Sequence, residues 1–161
     1  MHSIRTRVLA LATATALLTL ALGAGPASAD GGRAHRDAEN TFTKYISSFP
    51  DMAGVVGGAV GDGAYAGEIT TLTVTATGLV IDADYHFYGS IHTFSARVHI
   101  VQTGFADGST AVITGRVTEG WLRDNLVAGQ YTEVTCEQTP GVFGTCFHGT
   151  LDILRGTKPE G

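Results

Sequence analysis

The sequence predicts an all-β protein that folds as a single antiparallel β-barrel or sandwich. From Val55 onward Val, Ile, Thr and aromatic residues dominate, and glycines interrupt them at short intervals. No later stretch of helical periodicity exceeds about ten residues. The chain has 161 residues, of which 43% are hydrophobic and 16% charged, which excludes a disordered chain, a coiled coil and a polytopic membrane protein.

The first 29 residues have the features of a signal peptide. Arg5 and Arg7 precede an apolar run over residues 8–23, and Ala27-Ser28-Ala29 fits the small-residue cleavage pattern. A membrane anchor is the alternative, but Gly25-Pro26 follow the run and no basic cluster does. We therefore predict cleavage after Ala29 and a secreted, extracellular protein.

Loss of this leader would make the chain more acidic. The formal net charge of −5 would become −7, because Arg5 and Arg7 leave with the leader. No cluster of Lys and Arg remains to contact phosphate groups. Nucleic acid and the membrane surface are therefore not expected partners, and nothing in the sequence determines the oligomeric state.

Residues 30–50 are predicted to form a flexible or short helical N-terminal segment. Phe42, Tyr45, Ile46 and Phe49 recur at helical spacing, and Pro50 would end a helix there. An extended lead-in is the alternative. The barrel is expected over 51–155, followed by a polar tail over 156–161.

Seven strands can be delimited from composition and turn signals. Short connections between seven strands in about 100 residues are typical of an antiparallel barrel or sandwich. The predicted strands are Val55–Val60, Tyr65–Ala76, Leu79–Tyr88, Ile91–Thr103, Ser109–Thr118, Val127–Cys136 and Thr145–Leu154.

One hairpin can be assigned a register from its turn. Gly89-Ser90 suits a two-residue type II′ turn, which would place Tyr88 opposite Ile91. Alternation from that pair would then set Asp82 opposite Arg97 on a polar face. The apolar face, expected to point into the core, carries Ile81, Ala83, Tyr85, Phe87, Phe94, Ala96, Val98 and Ile100.

Cys136 and Cys146 are the two cysteines of the chain. In an exported protein an even count favours a disulfide, and Pro140-Gly141 between them is a turn signal. A redox or metal pair is the alternative, but it usually has the closer C-x-x-C spacing. We predict a hairpin loop pinned by a Cys136–Cys146 bridge.

Two glycine-rich blocks carry a resemblance to a known superfamily. Gly57-Gly58 followed by 61–67 (GDGAYAG) is similar to the G-x-G-x-[FY]-x-G signature of the allene oxide cyclase and dirigent superfamily. The blocks 111–120 and 146–151 resemble small secreted actinobacterial barrels of that type. The resemblance implies an eight-stranded antiparallel barrel of the cyclase, dirigent or lipocalin type with an apolar lumen. No acidic, Asn or Pro catalytic position of those families matches a residue here.

Candidate functional residues follow from the predicted faces. Tyr85, Phe87, Phe94 and Val98 would line the lumen and contact an apolar ligand. The acid–base candidates are His92, next to the predicted turn, and Tyr131 and Glu133 on the strand Val127–Cys136. Neither face of that strand is cleanly apolar, so a semi-polar interior is possible there. For His92 the alternative is a histidine at the edge of the core, bonded to backbone. No zinc-binding pattern is present, so no metal or cofactor is expected.

Three functions remain open at this point. The first is a secreted barrel that binds a small apolar ligand in its lumen. The second is an isomerase- or cyclase-like enzyme, or a dirigent-type protein that steers a reactive intermediate. The third is a structural or interaction barrel with a filled core, because small eight-stranded barrels are often filled by side chains.

Overall fold

A computed structural model describes residues 36–105, 108–136 and 144–154. These residues form one closed antiparallel barrel in which every strand pairs with its neighbours in sequence and the last strand pairs with the first. The predicted leader and the polar tail lie outside the described residues. The strands are β1 (Arg36–Ser48), β2 (Asp51–Gly58), β3 (Gly63–Val74), β4 (Gly78–Gly89), β5 (Thr93–Thr103), β6 (Thr110–Gly120), β7 (Leu126–Thr135) and β8 (Thr145–Leu154).

The all-β prediction is confirmed, and the count of eight strands matches the barrel that the resemblance implied. The expectation of a flexible or helical segment over residues 30–50 is wrong for Arg36–Ser48, which forms β1. Ala38, Asn40 and Phe42 are buried at alternating positions, as in a strand. The barrel therefore begins before residue 51, because β8 needs β1 as its second partner to close the sheet.

Aromatic side chains fill one part of the barrel lumen. The rings of Phe87 and Phe94 stack at 4.5 Å between centroids, and Phe42 packs edge-on against Phe87 at 6.1 Å. Tyr65 and Tyr85 meet edge-on at 5.2 Å. All five rings are at most 3% exposed, so this part of the lumen is a packed core.

Two glycines leave the space that these rings occupy. A Cβ atom at Gly149, which pairs with Phe42 across the sheet, would lie 2.9 Å from the Phe42 ring and 2.1 Å from a backbone oxygen of Gln130. A Cβ atom at Gly67 would lie 2.7 Å from the Tyr65 hydroxyl. The aromatic core therefore depends on backbone positions that carry no side chain.

The predicted faces of β4 and β5 are confirmed, because all eight residues expected in the core are at most 6% exposed. The predicted register is wrong by two residues. Tyr88 pairs with Thr93 rather than Ile91, and Arg97 pairs with Asp84 rather than Asp82. The Arg97 guanidinium donates to the Asp84 carboxylate at 3.0 and 3.3 Å on the outer surface.

The register differs because the connection is longer than a two-residue turn. The Gly89 amide donates to the carbonyl of His92 at 3.1 Å. The amides of Ile91 and His92 donate to the carbonyl of Val60, at 2.9 and 3.1 Å, in the neighbouring β2–β3 connection. These bonds remove Ile91 and His92 from β5, and a shift of two residues leaves each side chain on its predicted face.

The predicted disulfide is present. Cys136 and Cys146 are bonded, with their Cα atoms 5.0 Å apart, and both side chains are buried. Cys146 lies opposite Val134 in the β7–β8 ladder, so the bridge joins the two strands at the end of their pairing. Pro140-Gly141, the predicted turn, lies outside the described residues.

Replacing Phe87 by Ala should destabilise the barrel by about 3–5 kcal/mol, because it leaves a cavity among closely packed rings. Urea unfolding followed by tryptophan fluorescence measures the change. Val112→Ala, at a 61% exposed outward position on β6, is the matched control and should change the free energy of unfolding by less than about 0.5 kcal/mol. Equal effects of the two variants would contradict a packed aromatic core.

Replacing both Cys136 and Cys146 by Ser should lower the free energy of unfolding by about 2–3 kcal/mol, because the bridge closes a loop of sequence separation 10. The urea midpoint with and without reductant measures this. The double variant should be insensitive to reductant. A wild-type midpoint that reductant leaves unchanged, with free thiols then detected, would contradict a stabilising role for the bridge.

Candidate functional site

A cavity of about 430 Å³ opens at one end of the barrel. It lies where β1, β3, β5 and β7 end and where β2, β4 and β8 begin. The lumen is therefore divided along its length, with aromatic packing beyond the cavity floor and open space above it. The disulfide lies at the same end, since Thr145, the neighbour of Cys146, lines the cavity.

The cavity wall is mainly apolar. Its inner part is formed by Met52, Ile81 and Ile100, which are at most 6% exposed. Phe49 and Phe105, at 68% and 57% exposure, form part of its rim. The remaining apolar lining residues are Ile46, Ile69, Leu72, Leu79 and Phe147.

Lys44 is the buried charged residue at the floor of this cavity. It follows Phe42 by two positions on β1, so its side chain occupies the next layer of the lumen toward the open end. Its Nζ donates to the hydroxyl of Tyr85 and lies 3.8 Å from the sulfur of Met52. It also lies 4.6 Å from the ring centroid of Tyr85 and 4.5 Å from that of Tyr131.

The faces of aromatic rings lie close to this amine. Within 36–105, 108–136 and 144–154, Lys44 forms no ion pair. Cation–π contacts offset part of the cost of burying a charge but not all of it. Burial consequently lowers the pKa of Lys44 to about 7, so that a large fraction of the amine is neutral near pH 7.

Tyr131, Gln102 and Glu133 also line the cavity, and the side chain of each has a hydrogen-bond partner within the protein. The Tyr131 hydroxyl donates a hydrogen bond to the side-chain oxygen of Gln102, at 2.8 Å. The Glu133 carboxylate accepts a hydrogen bond from the Ser109 hydroxyl, also at 2.8 Å. Burial, with the nearby charge of Glu133, raises the pKa of Tyr131 well above its usual range, so this hydroxyl stays protonated.

The residues that the sequence predicts to contact a ligand do not line the cavity. Tyr85, Phe87, Phe94 and Val98 point into the lumen and are at most 3% exposed, but none of them is among the residues that line the cavity. Tyr85 reaches the cavity only through its hydrogen bond to Lys44. Their predicted contact with a ligand stays a prediction.

The three acid–base candidates lie at opposite ends of the barrel. Tyr131 and Glu133 line the cavity together. His92 precedes β5 at the other end of the barrel, where its ring stacks on Trp121 at 4.0 Å between centroids. The structure therefore supports a common site for Tyr131 and Glu133 but does not bring His92 to it.

Sequence reasoning missed Lys44, which is the central polar group of the cavity. The prediction of a flexible or helical segment over residues 30–50 left no inward-facing strand position for it. The signal that could have found it is the alternation of Ala38, Asn40, Phe42 and Lys44 on one face of a strand. Lysine is rarely buried without a charged partner. The residue type alone therefore argues against placing Lys44 at an inward position.

In the described part of the chain, no group of three or more His, Cys, Asp and Glu residues is arranged to hold a metal ion. The same described residues include no helix long and apolar enough to cross a membrane. No protein-family model, no curated protein and no solved structure matches this chain. The resemblance to the cyclase and dirigent superfamily therefore rests on the short glycine-rich blocks alone.

The lowered pKa of Lys44 predicts an unusual pH dependence of stability. Between pH 7 and about 10 the unfolded chain binds a proton at Lys44 that the folded barrel does not, so the free energy of unfolding should rise with pH. From pH 6.5 to 9.5 we expect Lys44 to contribute a gain of about 3 kcal/mol, measured by urea unfolding at both values.

Lys44→Met is the matched control for this dependence. It removes the titrating group and fills a similar volume, so the gain between pH 6.5 and 9.5 should shrink by about the same 3 kcal/mol. The same change in stability between pH 6.5 and 9.5 in both proteins would show that Lys44 keeps its ordinary pKa.

Above pH 10 the free energy of unfolding should fall again, because burial raises the pKa values of Tyr65 and Tyr85. The unfolded chain then loses protons that the folded barrel keeps.

Proposed function

We propose that this protein binds a small, largely apolar molecule in the cavity at the open end of the barrel. The cavity carries the proposal. Its volume of about 430 Å³ falls within the range of roughly 300–1,000 Å³ that is usual for small-molecule sites. Its lining combines an apolar wall with a few polar groups, which is the usual composition of such sites.

The distribution of polar groups supports an apolar ligand with one polar end. Lys44 lies at the floor of the cavity, whereas Ile69, Leu72 and Leu79 form part of the wall above it. Tyr131 and Glu133 have partners within the protein, so their capacity for further hydrogen bonds is reduced. A ligand would place its polar end at Lys44 and its apolar body against the wall.

The location of this function is part of the proposal. A disulfide that joins β7 to β8 fits a protein that works in an oxidising, extracellular environment. Export would require the predicted leader over residues 1–29. The cavity lies at the disulfide end, so the bridge would also hold the β7 and β8 edges of the ligand site together.

A second candidate function is an isomerase- or cyclase-type enzyme. The observation that favours it is the convergence of Lys44, Tyr131 and Glu133 at one cavity, since acid–base chemistry needs ionisable groups close to one substrate. Binding remains the first candidate, because the Tyr131 hydroxyl and the Glu133 carboxylate are bonded to Gln102 and Ser109 rather than to each other. Conversion of a bound ligand would decide for the enzyme.

Binding can be measured by titration with N-phenyl-1-naphthylamine, a neutral dye whose fluorescence rises in apolar sites. Leu79→Trp adds bulk to the cavity wall and should weaken binding tenfold or more. Val80→Trp is the matched control, because the next residue of β4 points to the opposite face and should leave binding within twofold.

Both variants must unfold cooperatively in urea, since the dye also binds partly unfolded proteins. Native mass spectrometry of the purified protein provides a second test, in which a co-purifying apolar molecule should be displaced by the dye. Equal dye affinity in Leu79→Trp and wild type would contradict the cavity as the site, and no dye binding by wild type would contradict the proposed function.

A further inference from the structure

We propose that the Nζ of Lys44 forms an imine with the carbonyl group of an apolar aldehyde bound in the cavity. This inference rests on the proposed function, since it assigns the ligand class of the same site. Three observations support it: Lys44 lines an open cavity, its amine has no ionic partner among the described residues, and the cavity wall is mainly apolar.

The first step is the access of a ligand to the amine. Lys44 is 3% exposed, yet it lines the cavity together with Met52, Ile100 and Phe147. Its Nζ contacts the Tyr85 hydroxyl and the face of the Tyr131 ring. A carbonyl carbon at the floor of the cavity would therefore meet the amine while the rest of the ligand stays against the apolar wall.

The second step is the charge state of the amine. An ordinary lysine with a pKa near 10.4 keeps only about 0.04% of its amine neutral at pH 7. Burial lowers the pKa of Lys44 to about 7, which makes about half of the amine a free nucleophile. Lysines desolvated in apolar pockets are activated toward carbonyl groups in this way.

The third step is the bond-forming chemistry, which needs no oxidant, reductant or cofactor. The Nζ lone pair adds to the carbonyl carbon, and the oxygen takes one proton from nitrogen to give a carbinolamine. The C–O bond then breaks, the C=N bond forms, and the oxygen leaves as water with both hydrogens of the amine. The Tyr85 hydroxyl, bonded to Nζ, is placed to assist the loss of a proton from the nitrogen.

An anionic ligand is the alternative that the same lysine suggests, and the surroundings disfavour it. A carboxylate would need the ammonium form of Lys44, which the apolar surroundings penalise. Glu133 lines the same cavity, and the chain has a formal net charge of −5, so both oppose an incoming anion. A neutral carbonyl compound avoids these costs.

The test uses three probes with one carbon skeleton: cinnamaldehyde, cinnamyl alcohol and cinnamate. Each is incubated with the protein at pH 7 and sodium cyanoborohydride, which reduces an imine to a stable amine, and peptide mass mapping locates the adduct. Lys44 and Lys158 are the two lysines of the chain, so Lys158 serves as an internal reference. We expect an adduct from the aldehyde alone, with at least tenfold more at Lys44 than at Lys158.

Three variants complete the test. Lys44→Met and Lys44→Arg should lose the adduct, whereas Lys158→Arg should retain it at the wild-type level. Labelling of Lys44 no greater than that of Lys158 would overturn the imine proposal, because Lys44 would then be no more reactive than the other lysine of the chain. Tighter binding of cinnamate than of cinnamaldehyde, without an adduct at Lys44, would overturn it in favour of an anion site.

The dye titration separates the two proposals. Dye binding by wild type without an adduct at Lys44 would overturn the imine proposal and leave the proposed function standing. Absence of both dye binding and adduct would overturn both. Loss of the Lys44 adduct in Leu79→Trp, in parallel with its weakened dye binding, would support both, because it ties covalent capture to occupancy of the cavity.

Discussion

The width of the lumen is the constraint on which the rest of this structure depends. An eight-stranded barrel encloses a space that is just wide enough for side chains to fill. Here five aromatic rings fill part of it, and they fit because Gly67 and Gly149 supply no side chain where Tyr65 and Phe42 need room. The packed part stabilises the fold, so the open part is free to remain a cavity.

Lys44 lies at the boundary between these two parts. Apolar rings lie below its layer, and the cavity lies above it. Burying an unpaired ammonium costs free energy, and the structure offsets this cost with a hydroxyl, a thioether and aromatic faces rather than with a carboxylate. A carboxylate partner would have held the amine in its charged form. No carboxylate forms an ion pair with Lys44 in the described part of the structure, so its amine can exchange a proton near neutral pH.

Most of the fold could be predicted from the sequence, because strand faces follow from a period of two. Phe87 and Phe94 were predicted in the core and are buried there, although the predicted register was wrong. Register depends on the connection, and this connection is held by the carbonyl of Val60 from a neighbouring hairpin. Such a contact between loops leaves no periodic pattern in the sequence. Strand β1 was missed for a related reason, since its apolar residues also fit a helical spacing.

The site could be predicted less well than the fold, and the reason is physical. Which part of a lumen stays open depends on the summed volumes of side chains from all eight strands, and no local pattern records that sum. Tyr131 and Glu133 were identified because a semi-polar strand stands out among apolar ones, and both line the cavity. Lys44 could not be identified in this way, because its chemistry arises from what surrounds it rather than from its neighbours in sequence. A lysine becomes a nucleophile where burial disfavours its charged form, as it does for Lys44.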